Sequence, residues 1–517
     1  METGKKLLVI LVAVYFSLLS AASFNSSEWT DYLGNPQRTG YSAIEGPDMP
    51  EVLWKVNIPG DFDTSPFITD DKVLLLWKDS MYHLVKTKVF ILDLLTGDIL
   101  QEVDSNLFFK AFPVENRILG FSIESVYDLD LNSGEITFLA SIPKKSFVMT
   151  NMYPLALKDR IIIPTTPAVC LSMRDFHTLW NLGETASDPG LEPVCLAGDE
   201  SMVVFITSKD GVLQLLAVDP STGKLRWRID PLPAALWLVL GDDAVYCGGK
   251  NLWAFSRDGK RLWYFKPDQR IVSNIILGPD AVYIVDEGNN LYKIDLDGNL
   301  IWKTDCEVSP WVLETHLIGA GTILYCIRNV EDTVAVTRSF VTAYSMENGS
   351  RLWELEFGPS HYVRASPAIA DGILVIGKAG GEIITLASDP HLFAKQGDAF
   401  LSKGQTEEAT SSYEKAAELY ERKGDMSRSQ EIQEQIHELR NPSESPPPES
   451  TAPSKPPESV PSSTPECTSQ PPTPESTMPT TSPEPSALIP LSAVILVVVL
   501  MGIPITYYLI KHKPKSD

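Results

Sequence analysis

The stretch Leu216-Ala217-Val218-Asp219-Pro220-Ser221-Thr222-Gly223-Lys224-Leu225-Arg226-Trp227 reads as two strands joined by a tight turn. Asp219 can fold its carboxylate onto the backbone amides that follow, and Gly223 can take φ > 0 at no steric cost, so the chain reverses and leaves as a strand carrying Trp227. The pattern recurs in 291–302, Leu-Tyr-Lys-Ile-Asp-Leu-Asp-Gly-Asn-Leu-Ile-Trp. Working outward, the aromatic position has eight copies, Trp54, Gln101, Phe138, Trp180, Trp227, Trp263, Trp302 and Trp353, spaced by 36 to 51 residues. That is the span of one four-stranded propeller blade.

Two further columns fix the register. A glycine stands four residues before the aromatic position at Gly97, Gly134, Gly223, Gly259, Gly298 and Gly349. Each copy opens at Pro66, Pro113, Pro154, Pro193, Trp237, Asn274, His316 or Pro367, which leads a short apolar strand. Strand, turn, strand, loop, strand, glycine turn and aromatic strand make a four-stranded antiparallel sheet repeated radially, with each edge protected by its neighbour. The last copy, about 364–387, lacks its aromatic strand, and Trp54, ahead of the first complete copy, can supply it. The expectation is an all-β eight-bladed propeller over 50–389, closed by both ends of the domain.

These segments, with 366–377 (Ser-Pro-Ala-Ile-Ala-Asp-Gly-Ile-Leu-Val-Ile-Gly), resemble pyrroloquinoline-quinone-like repeats. The lead-in at 24–49, with Trp29 and Asn35-Pro36-Gln37-Arg38-Thr39-Gly40, is similar to that of exported members. The resemblance implies that the aromatic position docks between blades, so that Trp54, Trp180, Trp227, Trp263, Trp302 and Trp353 are structural. It also brings in two functional classes. In quinoprotein dehydrogenases an acidic residue, an Asn, an Arg and a stacking Trp on long loops hold pyrroloquinoline quinone and calcium; a lipoprotein scaffold of outer-membrane protein assembly is not an enzyme. Most connections here are short and no vicinal cysteine pair occurs, so no cofactor is expected.

The two ends of the 517-residue chain point to export. Lys5 and Lys6 precede an apolar run, 7–19, that closes in small residues, which is the form of a signal peptide over 1–23. Residues 488–510 are apolar and uncharged, long enough to cross the roughly 30 Å hydrocarbon core. Lys511, Lys513 and Lys515 follow, placing the tail 511–517 in the cytoplasm by the positive-inside rule. The formal net charge of -24 leaves no basic patch for nucleic acid.

Beyond 389 the apolar period changes to that of a helix. Residues 390–423 resemble one tetratricopeptide repeat, with Gly397, Phe400, Ala409, Tyr413 and Ala416 at its small and aromatic positions. Helices are expected over about 391–403, 406–423 and 426–440, the last carrying Ile432, Ile436 and Leu439 on one face. A single repeat cannot bury its apolar face alone, so the unit must dock on the propeller, self-associate or hold a partner. Residues 441–487, rich in Pro, Ser, Thr and Glu, cannot supply a core and read as a stalk. Cys467 sits where the stalk's quasi-repeat has serine, placed for an intermolecular disulfide that would make a homodimer.

Sites of chemistry are sparse. Asp128, Asp130 and Asn132 ahead of Gly134 have the alternation of a calcium loop but align with the turns of other blades, and read as a turn. His83, His177, His316 and His361 show no partners at ligand spacing, and no catalytic or metal residue is assigned. Cys247 and Cys326 fall at equivalent strand positions, with Cys170, Cys195 and Cys306 as small apolar fillers. Asn25 and Asn348 open N-glycosylation sequons. The reading is a stalk-mounted, membrane-anchored surface module that binds another envelope protein or polymer without catalysis. The alternatives are a quinoprotein dehydrogenase and a sensor acting through a partner.

Overall fold

The computed structural model describes residues 28–441, apart from 63, 79–85, 106–109, 115–116, 123, 131–132, 143–152, 234, 307–311, 332–336, 360–362 and 364. The signal peptide, stalk, apolar segment 488–510, tail, Asn25, Cys467, His83 and His361 therefore lie outside the described residues. No helix among the described residues is long and apolar enough to cross a membrane.

Eight antiparallel sheets follow one another along the chain. Blades 1 to 7 begin with the strands Phe67–Thr69, Lys110–Val114, Leu155–Leu157, Glu192–Gly198, Ala235–Leu240, Ile276–Leu277 and Val312–Ala320, and each keeps its four strands in chain order. Blade 8 takes three strands from the end of the domain, Ala368–Ala370, Ile373–Gly377 and Glu382–Ala387, and its fourth, Glu51–Asn57, from the beginning. Val52 faces Leu386 and Trp54 faces Thr385, so the ring closes through the tryptophan strand. The first strand of blade 1 lies against the first strands of blades 8 and 2, which sets the first strands around the axis and the fourth at the rim.

Alternation is weak in the second and third strands because they are covered on both faces, as in Ile373–Gly377, where all five residues are buried. The fourth strands are more open, and in Leu300–Asp305 only Trp302 and Thr304 are partly covered. The apolar core is accordingly a chain of clusters between successive blades. One of them unites Trp54, Phe90, Tyr325, Trp353 and Leu386 across blades 7, 8 and 1 with Phe393 and Leu419 of the helices.

Tryptophan and glycine columns meet in space. Trp180 Nε1 donates to Pro220 O of the next blade at 2.8 Å, and Trp54, Trp227 and Trp263 donate to Leu94 O, Arg257 O and Leu296 O in the same way. Gly223 has φ +66°, and a Cβ there would lie 2.6 Å from the Trp180 ring. The turn glycine is thus required twice, for its backbone and for the flat indole that lies on it. Two seams differ. Gln101 replaces tryptophan ahead of blade 2, and Phe138 ahead of blade 3 is 55% exposed, because there the turn residue is Phe176 (φ 56°) and offers no bare backbone for a ring.

Three helices follow: α1 Pro390–Ser402, α2 Thr406–Arg422 and α3 Met426–Arg440. Asp389 caps α1 by accepting from His391 N, and Pro390 occupies its first turn. Gly397 lets Tyr413 of α2 pack against the α1 backbone, since a Cβ would lie 2.6 Å from that ring. The unit docks on the propeller. Gln396 Nε2 donates to Leu53 O and Leu95 O, both at 2.9 Å, while its Oε1 accepts from Ser412. Glu51 pairs with Lys415 and Arg422, and Asp98 with Lys403.

Candidate functional site: the channel mouth and the helical groove

The lead-in crosses one mouth of the axial channel. Trp29 bridges Ile68 of blade 1, and backbone amides at the ends of four successive first strands then donate to the lead-in: Gly198 to Pro36 O, Leu240 to Gln37 O, Leu277 to Thr39 O and Gly319 to Gly40 O. Tyr41–Ser42 finally adds a parallel fifth strand to blade 7. Seven residues therefore touch blades 4 to 7, which is possible only near the axis, where the blades converge.

The side chains of the lead-in fix it there. Arg38, 2% exposed, pairs with Asp31 and donates to Tyr32 O and Pro154 O, both at 2.9 Å. Burial raises the pKa of Asp31 against the pull of Arg38. Tyr32 stacks on Tyr153 of blade 3 at 4.7 Å, and the Tyr153 hydroxyl accepts from Ser65 N of blade 1. His316 and Ser366, from blades 7 and 8, lie 3.3 Å apart (Nδ1 to Oγ), and burial lowers the histidine pKa to about 4, leaving it neutral at pH 7. Ser366 is 2% exposed, whereas a hydrolytic pair needs an open approach to its nucleophile.

Beside the lead-in lies a cleft of about 530 Å³, lined among others by Glu28, Asp31, Lys158, Asp199 and Glu200. Its carboxylates have structural duties: Asp199 pairs with Arg257 at 2.5 Å and caps the turn at Ser201, and Glu200 accepts from Lys158 N at 2.8 Å. A second concavity, about 450 Å³ between α2 and α3, is walled by Glu414, Glu418, Glu421, His437 and Arg440 over an apolar floor of Ala417 and Ile436. Both are acidic and shallow, suited to a complementary surface.

Trp54, Trp180, Trp227, Trp263, Trp302 and Trp353 are all in blade seams. Trp353 has no eighth hairpin to dock on and donates instead to Pro47 O of the lead-in at 3.2 Å. Asn348 is exposed in the glycine turn of blade 7, its Oδ1 accepting from Ser350 N. Asp130 builds a turn, accepting from Ser133 N while Gly134 N donates to Asp130 O. His177 differs from expectation, because Asp175, two residues away on the same turn, pairs with it at 2.5 Å. The sequence gives no signal for the contacts of Arg38 or for the meeting of Cys306 and Cys326 in one apolar cluster, since both depend on how separate blades pack.

Quinone and calcium ask for converging oxygen donors, a free arginine and an exposed indole. Arg38 is committed to Asp31 and backbone carbonyls, and the repeat tryptophans are held in the seams. No group of three His, Cys, Asp or Glu side chains among the described residues is placed to hold a metal ion. Arg38 and the repeat tryptophans are therefore not placed to hold that pair.

Comparison with known proteins places this architecture. A family profile described as outer membrane protein assembly factor BamB matches residues 169–310 and 254–390. No curated protein matches the chain. The quinohemoprotein alcohol dehydrogenase of Comamonas testosteroni superposes with a TM-score of 0.51 at 12% identity, over 71% of this chain and 82% of that one. The quinohemoprotein alcohol dehydrogenase ADHIIG of Pseudomonas putida HK5 gives 0.51 at 12%, over 69% and 80%. BamB of Moraxella catarrhalis gives 0.39 at 15%, over 54% and 96%. At such identities the two dehydrogenases show a shared fold and nothing about chemistry.

Proposed function

Taking the chain as a propeller protein of the pyrroloquinoline-quinone-like repeat type, we propose that it is a non-enzymatic scaffold that binds another envelope protein or polymer through its propeller and helices. The observation that carries this reading is the lead-in. It spends the converging backbone donors of four blades on itself and buries Arg38 with Asp31, so the groups at this mouth hold the fold together and are not free to act on a substrate. The profile named for an assembly factor supports the same class by analogy. The acidic groove between α2 and α3 favours a partner surface that brings Lys or Arg to its rim and apolar side chains to its floor.

The setting belongs to the same proposal. A signal peptide over 1–23 exports the chain, the helix 488–510 anchors it, and the stalk 441–487 holds propeller and helices away from the bilayer. Cys467 joins two stalks, and Asn25 and Asn348 carry glycans. The helical unit serves as a tetratricopeptide-like binding element.

Calorimetric titration of the full-length protein with pyrroloquinoline quinone and calcium, beside a dye-linked alcohol oxidation assay, tests the central point. No saturable heat and no turnover are expected. Stoichiometric binding with turnover would replace the scaffold by a dehydrogenase.

A further inference from the structure

Cys306 follows the last strand of blade 6, Leu300–Asp305, and Cys326 lies within the second strand of blade 7, Ile323–Glu331. They are 20 residues apart in sequence, yet both belong to one apolar cluster with Leu317, Leu324 and Tyr344. The backbone holds them there independently. Cys306 N donates to Asn289 O at 2.8 Å, fixing the residue to blade 6. From the other side Arg328, two residues beyond Cys326 and on the same face of its strand, donates through Nη1 to Cys306 O at 2.5 Å. The same guanidinium is anchored by Thr342 Oγ1 at 2.7 Å and Glu354 Oε2 at 2.9 Å. Cys306 and Cys326 are 1% and 0% exposed.

We propose that Cys306 and Cys326 are a redox site, joined as a disulfide that staples the exit of blade 6 to blade 7 in the exported protein. Oxidation takes place while the chain folds, before the cluster closes over the sulfurs, and the oxidant is the disulfide of a thiol–disulfide exchange partner. One cysteine thiolate attacks that disulfide, forming a mixed disulfide and releasing one partner thiol. The second cysteine then attacks the mixed disulfide and releases the other thiol. Two S–H bonds are lost, one S–S bond forms in the chain, and the partner disulfide is reduced by two electrons and two protons. Cys170 lies in the core of blades 3 and 4, and Cys195 and Cys247 belong to a separate cluster between blades 4 and 5.

The inference rests on export as proposed above. External protease applied to intact cells reads that premise separately, by digestion or protection of the propeller. For the pairing itself, full-length protein is taken from membranes with free thiols alkylated under denaturing conditions, then digested without reduction and mapped by mass. The expected result is one peptide pair linked through Cys306 and Cys326, lighter by two hydrogens than the separate peptides, with Cys170, Cys195 and Cys247 alkylated. Alkylation of both Cys306 and Cys326, or linkage of either to another cysteine, would overturn the proposal. As a second readout, reductant is expected to lower the unfolding midpoint of the wild type and leave that of Cys326→Ser unchanged. Equal sensitivity of the two would also count against it.

Discussion

Gly223→Ala is the substitution that best isolates the docking of tryptophan on glycine between blades. Two costs add at this position. The backbone has φ +66°, where a residue with a Cβ is about 1 to 2 kcal/mol less stable than glycine. The new methyl would lie 2.6 Å from Trp180 Cδ2, and displacing a ring that is 4% exposed and bonded to Pro220 O costs a further ~1 to 3 kcal/mol. Gly134→Ala is the internal control. Its φ is +72°, so the backbone cost is the same, but its nearest neighbour is Gln101 Nε2 at 3.4 Å and the methyl fits. The expected outcome is a loss of about 2 to 5 kcal/mol for Gly223→Ala against about 1 to 2 for Gly134→Ala. Denaturant unfolding of the full-length protein, followed by tryptophan fluorescence, measures both. Equal losses would refute the docking argument and leave backbone conformation as the sole reason for the glycine column.

Further expectations concern the lead-in, the helices and pH. Arg38→Ala leaves Asp31 buried without its partner and is expected to cost about 3 to 5 kcal/mol, whereas Arg38→Met with Asp31→Leu costs less; thermal unfolding of both variants separates an unpaired charge from lost packing. Gln396→Ala removes the donor to Leu53 O and Leu95 O and is expected to make the helices, but not the blades, more sensitive to limited proteolysis. His316 has its pKa lowered from 6.5 to about 4 by burial, so the unfolded chain binds the extra proton across that interval. Stability from this group is therefore complete above about pH 6.5 and falls by about 3 kcal/mol as the pH drops to about 4. Urea unfolding of wild type and His316→Gln across this range is expected to show a steeper loss of stability in the wild type, since the carboxylates titrate in both.

Most of the propeller was legible in the sequence because its signals are local and repeated. The Asp-to-Gly turns need only a few consecutive residues, and the tryptophans recur at a fixed offset from them, so blade number, register and closure through Trp54 can be counted along the chain. The helices were legible for the same reason, since the change of period at 390 and the Gly397, Tyr413 and Ala416 spacing are properties of consecutive turns. Two seams were less legible. Gln101 and Phe138 fit the column by position, but only the structure distinguishes them from docked tryptophans, because docking depends on a turn in the next blade.

What the sequence by itself determined is the eightfold repeat, the conformation of its turns and the order of the segments, all consequences of residue preferences acting over a dozen residues or fewer. What only the tertiary structure decided is how distant segments meet. The lead-in lies across the channel mouth, because its carbonyls reach the free amides at the ends of four first strands. Gln396 anchors the helices to carbonyls of blades 8 and 1, and Arg328 holds Cys306 against the strand that carries Cys326. In each case the deciding partner is a backbone carbonyl or amide, which every residue possesses, so no pattern of side chains announces the contact. Folding selects it by bringing one otherwise unpaired group within reach of another.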